Sequence, residues 1–166
     1  MDLTSGNLYW PQQTTPCSYP RLEHPLKCDV VILGEGITDA LVAHYLTEAR
    51  IEAVVLETRN VAGGSTSAST ALLQYEIDTH LIDLKEKVGE ANAIRAYELC
   101  LEAIEKMEAV TRVIGEPCGF ERKKSLYLAS GKKDVKTMYE EYETRKQMGI
   151  DLEFLAGATL EPDFNL

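Results

Sequence analysis

Residues 29–39 read Asp29-Val30-Val31-Ile32-Leu33-Gly34-Glu35-Gly36-Ile37-Thr38-Asp39, an apolar run that leads into a turn with two glycines. Its β-branched run ends at Gly34, as a buried parallel strand does before a tight turn. Apolar residues at helical spacing follow over residues 37–50, and a second apolar run covers residues 51–56. Strand, helix and strand in this order predict one βαβ unit with parallel strands.

The turn after the first strand lies where the dinucleotide fingerprint G-x-G-x-x-G belongs. Gly34 and Gly36 hold its first two glycine positions. Ile37 and Thr38 begin the following helix, and their backbone N–H groups would bind a pyrophosphate. Glu57 ends the second strand about 20 positions further on, where an acid accepts ribose hydroxyls. The sequence predicts a dinucleotide site; the alternative is an ordinary βα turn with a solvated Glu57.

A loop of small and hydroxylic residues, 59–70 (RNVAGGSTSAST), follows Glu57; it is called the hydroxylic loop below. FAD is a long cofactor, so its ribityl chain and ring need hydrogen-bond donors and slender backbone beyond the pyrophosphate. The other interpretation of this loop is helix capping by Thr66 or Ser67. The cofactor contacts predicted here are Thr58, Arg59, Gly64, Ser65, Thr66, Ser67, Ser69 and Thr70.

Taken with residues 29–57, this loop resembles the D-amino-acid oxidase type of FAD-dependent oxidoreductase. Members of that family carry an acid, a basic residue, a glycine pair and a Ser/Ala/Thr-rich turn at this place. The resemblance continues through residues 74–78 (QYEID) and 120–129 (FERKKSLYLA) to about residue 155, and the leader at 8–11 (LYWP) is similar to that of bacterial members.

The resemblance implies an α/β fold, namely a partial Rossmann-like FAD-binding domain with a βαβ unit, helices and a few further strands. It also implies FAD as cofactor and an amine or amino-acid substrate that delivers hydride from the C–H bond beside its nitrogen. Two alternatives stay open: an NAD-type Rossmann dehydrogenase, and a non-catalytic degenerate domain that no longer binds a nucleotide.

Three residues depart from the family fingerprint: Asp39 at the third glycine, Glu35 between the first two, and Arg50 at the usual helix-terminating glycine. An Asp at the third position predicts overpacking worth about 1–3 kcal/mol. The charge of either Asp39 or Glu35 about 5 Å from a phosphate adds roughly 3 kcal/mol of repulsion at an effective dielectric near 20, on the order of a hundredfold in affinity. Without ligand, the helix dipole favours Asp39. We hypothesise a decaying or mutated copy.

Two domain-level segments are predicted. Residues 1–27 form an extended leader rich in proline, either a mobile tail or a segment whose Tyr9 and Trp10 dock onto the domain or a partner. Residues 28–166 are expected to be the N-terminal part of an FAD-binding domain, incomplete at its C-terminus. Such a piece should bind FAD weakly, act on substrate only when the missing part is supplied, and self-associate through an unpaired sheet edge.

Further elements are predicted along the second half of the chain. Helices are expected over residues 79–88, 90–114 and 134–148, and strands over residues 120–129 and 152–155. Glu141 and Arg145 are spaced to pair across one helical turn.

Charge and composition exclude several classes of function. The chain has 17 Lys and Arg against 27 Asp and Glu, a formal charge of −10, which disfavours nucleic acid and anionic membrane surfaces as partners. No apolar run reaches the roughly 20 residues of a membrane span and no signal peptide is recognisable, so a cytoplasmic location is expected. The four scattered cysteines are predicted to be reduced thiols, with no metal site. No catalytic residue is assigned: His24 lies in the proline-rich leader, His44 on the first helix among structural positions, and His80 at the start of a helix.

Overall fold

The computed structural model describes residues 6–13, 17–115 and 118–155. Contacts divide the chain into two compact units, unit 1 (Met1–Leu72) and unit 2 (Leu73–Leu166). Unit 1 contains helix α1 (Trp10–Gln13), strand β1 (Val30–Leu33), helix α2 (Ile37–Glu48), strand β2 (Ala53–Leu56) and a 3-10 turn (Ser65–Ala68). Unit 2 contains helices α3 (Leu81–Val88), α4 (Glu90–Ile114) and α5 (Val135–Gln147).

The predicted βαβ unit is confirmed in unit 1. Strands β1 and β2 pair in parallel, with Val30 opposite Ala53 and Leu33 opposite Leu56. Helix α2 connects them and packs against both strands. The carboxyl ends of both strands therefore meet at the N-terminus of α2, which is the edge of a parallel sheet where ligands bind.

A residue in the left-handed conformation follows the end of helix α2, two positions past Glu48. Arg50 has φ 57°, its N–H donates to the carbonyl of Thr47 (2.9 Å), and the N–H of Ile51 donates to that of Leu46 (2.9 Å). This pair of bonds is the Schellman motif, whose left-handed position usually holds glycine. Helix α5 ends by the same two bonds with Gly149 (φ 84°) at that position. Arg50 therefore stands at a glycine position, as expected, at a cost of about 1 kcal/mol.

The core of unit 2 forms where α3, α4 and α5 meet. Leu81, Ala93 and Tyr97 are fully buried, and Met148 and Ile150 pack against them from the end of α5. Burial raises the pKa of Tyr97 to about 12, so its hydroxyl keeps its proton and donates to the carbonyl of Thr79 (3.0 Å).

A buried ion pair fastens α5 to the N-terminus of α3. Arg145 Nε donates to Glu141 Oε1 at 2.6 Å, which confirms the predicted pair, and the two side chains are only 6% and 3% exposed. The carboxylate also accepts the backbone N–H groups of Leu81 (2.7 Å) and Ile82 (3.0 Å). Glu141 therefore caps α3 from 60 residues away in sequence.

Two predicted strands are wrong. Residues 120–129 and 152–155 form no strand, and within the described residues no other strand lies beside them to supply ladder hydrogen bonds. Alternating side chains indicate an extended segment, whereas a strand also needs a partner. The leader differs as well, because Trp10–Gln13 forms one helical turn where no periodicity predicted a helix.

Candidate functional site

The predicted site residues lie in three segments of unit 1. Gly34, Gly36, Ile37 and Thr38 form the turn after β1 and the first turn of α2; Glu57, Thr58 and Arg59 follow β2; Gly64, Ser65, Thr66, Ser67, Ser69 and Thr70 lie in and just after the 3-10 turn. The structure brings the first two segments together through Glu57. The third segment meets the helix N-terminus through Thr66.

The first glycine of the turn is required by its backbone. Gly34 has φ 117°, a conformation that side-chain-bearing residues rarely adopt. A Cβ at this position would also lie 2.9 Å from Asp39 Oδ2. The N–H of Gly34 donates to the carbonyl of Leu56 (2.8 Å), which carries the strand pairing one residue past β1.

Glu57 turns back from the end of β2 onto the glycine turn. Its Oε2 accepts the N–H of Glu35 (3.1 Å), while Oε1 accepts the N–H of Arg59 (2.8 Å) and the hydroxyl of Thr58 (3.2 Å). The bond from the Arg59 N–H is the largest of the contacts that lower the pKa of Glu57 below its usual value. Glu57 is thus an ionised acceptor beside the turn, as ribose binding would need.

Asp39 places its carboxylate inside the glycine turn. Its Oδ2 accepts the N–H of Gly36 at 3.0 Å, which is the contact that a residue at the third position of a helix makes to the capping residue. A Cβ added to Gly36 would lie 3.4 Å from the same oxygen. The side chain that replaces the third fingerprint glycine therefore occupies the space that the first two glycines leave open.

The hydroxylic loop is held by its own side chains. Thr66 Oγ1 accepts the N–H of Ile37 (3.2 Å), and Ser67, only 6% exposed, donates to the carbonyl of Gly64 (2.7 Å). Ser69 Oγ accepts the N–H of Ala71 (3.1 Å). Capping of a helix after the loop by Thr66 or Ser67 is not seen, because no helix follows at residues 71–73 and Ser67 donates to a carbonyl. Thr66 instead accepts an N–H at the start of α2, and the contacts to a flavin stay a prediction.

Trp10 docks onto this loop, which the sequence left as one of two alternatives. Its indole N–H donates to the carbonyl of Ser69 (2.8 Å), and α1 packs on the 3-10 turn. Tyr9 contacts the Trp10 ring edge-on at 5.0 Å but stays largely exposed. The sequence signal for this contact was weak: the chain's one tryptophan in a proline-rich segment.

The histidines make no catalytic grouping in the described residues. In unit 2, His80 Nε2 hydrogen-bonds to the hydroxyl of Tyr127, and both residues line a cavity of about 210 Å³. In unit 1, His44 contacts the ring of Tyr45. Across the described ranges no group of three or more His, Cys, Asp or Glu is arranged to hold a metal, no disulfide is formed, and no helix is long and apolar enough to cross a bilayer.

Comparison with known proteins extends the resemblance over most of the chain. The family described as FAD dependent oxidoreductase matches residues 29–165. A Bacillus subtilis (strain 168) protein named "Putative Rieske 2Fe-2S iron-sulfur protein YhfW" is 25% identical over 147 residues, which are 89% of this chain and 29% of that protein. The chain thus spans less than a third of that relative. No solved structure matches this chain. From the family match across the βαβ unit, Glu57 and the hydroxylic loop, we conclude that the chain belongs to the DAO-type FAD-dependent oxidoreductase family.

Proposed function

We propose that this chain supplies the site for the adenosine and pyrophosphate parts of FAD in an oxidoreductase that oxidises an amine or an amino acid. The observation that carries the proposal is the position of Glu57, an ionised acceptor held within hydrogen-bond distance of the turn that follows β1. A ribose bound to this carboxylate would have its pyrophosphate next to the N-terminus of α2.

The residues of the turn fit that ligand at several points. Gly34 and Gly36 carry no side chains of their own at the turn, and Ile37 and Thr38 begin the helix whose N–H groups and dipole favour an anion. Thr66 connects the loop to the same helix end, so the loop would continue along the ribityl chain. FAD, when bound, supplies the hydride-accepting chemistry, and these residues bind and orient it.

The substrate class rests on the family rather than on the site. An amine or amino acid has a C–H bond beside nitrogen that can deliver hydride to a flavin, which is the chemistry the resemblance implies. Anaerobic bleaching of protein-bound flavin by small amines or by D- and L-amino acids tests it. Bleaching by none of them would refute the substrate class without touching cofactor binding.

Cofactor binding is tested by titrating the chain with FAD and following flavin fluorescence. Replacing Glu57 with glutamine keeps an acceptor oxygen but removes the charge; losing charged hydrogen bonds of about 1.5–3 kcal/mol weakens FAD binding roughly ten- to a hundredfold. The matched control is Glu52→Gln, an exposed glutamate beside the opposite end of β2, which should leave affinity unchanged.

Two results would contradict the cofactor proposal. Equal effects of Glu57→Gln and Glu52→Gln would show that Glu57 does not contact the ligand. Stabilisation by NAD and not by FAD, measured as the shift of the thermal midpoint, would favour the dehydrogenase alternative.

A further inference from the structure

We infer that the nucleotide site of this chain is closed by its own side chains, and that the carboxylate of Asp39 must leave the glycine turn before a pyrophosphate can enter. The inference rests on the proposed function, since it names what controls FAD binding at that site. It concerns a contact that the family fingerprint, with glycine at the third position, does not have.

Three consecutive backbone N–H groups at the turn already have acceptors. Glu35 N–H donates to Glu57 (3.1 Å), Gly36 N–H to Asp39 (3.0 Å) and Ile37 N–H to Thr66 (3.2 Å). An anion at a helix N-terminus is held by such groups. A pyrophosphate would therefore compete with these side chains for the donors that bind it.

The three acceptors differ in whether they can remain when the ligand binds. Glu57 has a place in the complex, since its carboxylate is the expected partner of the ribose. The hydroxyl of Thr66 can rotate and act as donor instead of acceptor. Asp39 has neither option, because an ionised carboxylate only accepts and repels a phosphate at short distance.

Nothing in the described parts of the chain draws Asp39 out of the turn. None of the ion pairs there involves Asp39, while its Oδ2 holds the Gly36 N–H and lies within 2.9 Å of the point where Gly34 would carry a Cβ. The partial positive charge of the α2 N-terminus stabilises the carboxylate where it is. Asp39 thus acts as an internal anion in the place of the phosphate.

The test replaces Asp39 with glycine, which restores the family fingerprint. FAD affinity measured by flavin fluorescence should rise about ten- to a hundredfold. The thermal midpoint of the ligand-free protein should fall by several degrees, since a helix cap is lost. Asp39→Asn removes the charge but keeps the side chain in the turn, so its affinity should lie between wild type and Asp39→Gly.

The matched control is Asp83→Gly, the same substitution at the third position of α3 in unit 2. It should lower stability without changing FAD affinity. A higher FAD affinity together with a lower thermal midpoint for Asp39→Gly, and an unchanged FAD affinity for Asp83→Gly, would support the inference. The amide proton of Gly36 should also move upfield in Asp39→Gly as its acceptor is removed.

The outcomes separate this inference from the proposed function. If wild type and Asp39→Gly bind FAD equally well, closure by Asp39 is wrong and the FAD site stands. If neither binds FAD, both the proposed function and the closure are refuted. If Asp39→Asn binds more tightly than Asp39→Gly, occupation of the turn by the side chain is refuted.

Discussion

Replacing Arg145 with methionine should remove a large part of the stability of unit 2. The substitution deletes the guanidinium that contacts Glu141 at 2.6 Å and lies over the rings of Tyr75 and Tyr97. Methionine fills most of the vacated volume, so the main loss is electrostatic. Glu141, with its side chain only 3% exposed, is left as a buried charge without a cation, which costs about 3–5 kcal/mol. Small domains have only about 5–15 kcal/mol in total.

A second variant separates the ion pair from the cap. Buried pairs replaced on both sides by apolar residues are often as stable as before. Here Glu141→Leu with Arg145→Met also leaves the buried N–H of Leu81 and the partly buried N–H of Ile82 without their acceptor, at about 1–3 kcal/mol for the buried donor. The double variant should therefore remain less stable than wild type.

Urea unfolding followed by far-UV circular dichroism measures both effects, with the midpoint moving and the slope unchanged. The control is Lys136→Met on the same helix, whose pair with Glu140 spans 3.6 Å with the lysine 87% exposed, and which should change stability by less than about 1 kcal/mol. Equal shifts for Arg145→Met and Lys136→Met would refute the importance of burial, and a double variant as stable as wild type would refute the cap. If Arg145→Met does not fold, Arg145→Lys gives a smaller, measurable loss.

Two further predictions concern acid and the leader. Burial raises the pKa of Glu141, but the N–H groups of Ile82 and Leu81 and the charge of Arg145 outweigh it, so the folded pKa lies below the ordinary 4.5. The stability that ionised Glu141 contributes is present above pH 4.5 and is lost as the pH falls through the lowered pKa of the folded state. A urea midpoint that does not change as the pH falls below 4.5 would contradict this. Trp10→Phe keeps a ring but loses the bond to Ser69, which should lower the stability of unit 1 by about 0.5–1.5 kcal/mol; Tyr19→Phe, at an exposed tyrosine, should leave the thermal midpoint unchanged.

Local pattern was enough to predict the part of the fold that forms from neighbouring segments. Residues 30–56 contain both strands and the helix that joins them, so the β-branched runs and the helical period describe the whole unit. The strand predicted over residues 120–129 failed because strand pairing depends on a second segment that the pattern does not reveal.

The ion pair of α5 and the candidate site show the same limit at the level of side chains. The spacing of Glu141 and Arg145 predicted their pair, but burial depends on the distant N-terminus of α3, which no local pattern reports. The sequence likewise identified Asp39 as a residue that weakens nucleotide binding. The Asp39 side chain points into the turn and accepts the Gly36 N–H. That orientation depends on the path of the backbone, so it was visible only in three dimensions.

Restoring both missing glycines should separate stability from cofactor binding. Asp39→Gly loses a cap, whereas Arg50→Gly relieves the left-handed strain at the other end of α2 and should stabilise by about 1 kcal/mol. A helix of 12 residues is about 18 Å long, so the two effects should add. The double variant should thus melt near wild type yet bind FAD as tightly as Asp39→Gly alone. Gly149→Arg, the reverse change at the matching position after α5, should destabilise by a similar amount. If Arg50→Gly does not raise the thermal midpoint, contacts of the Arg50 side chain must offset its backbone strain.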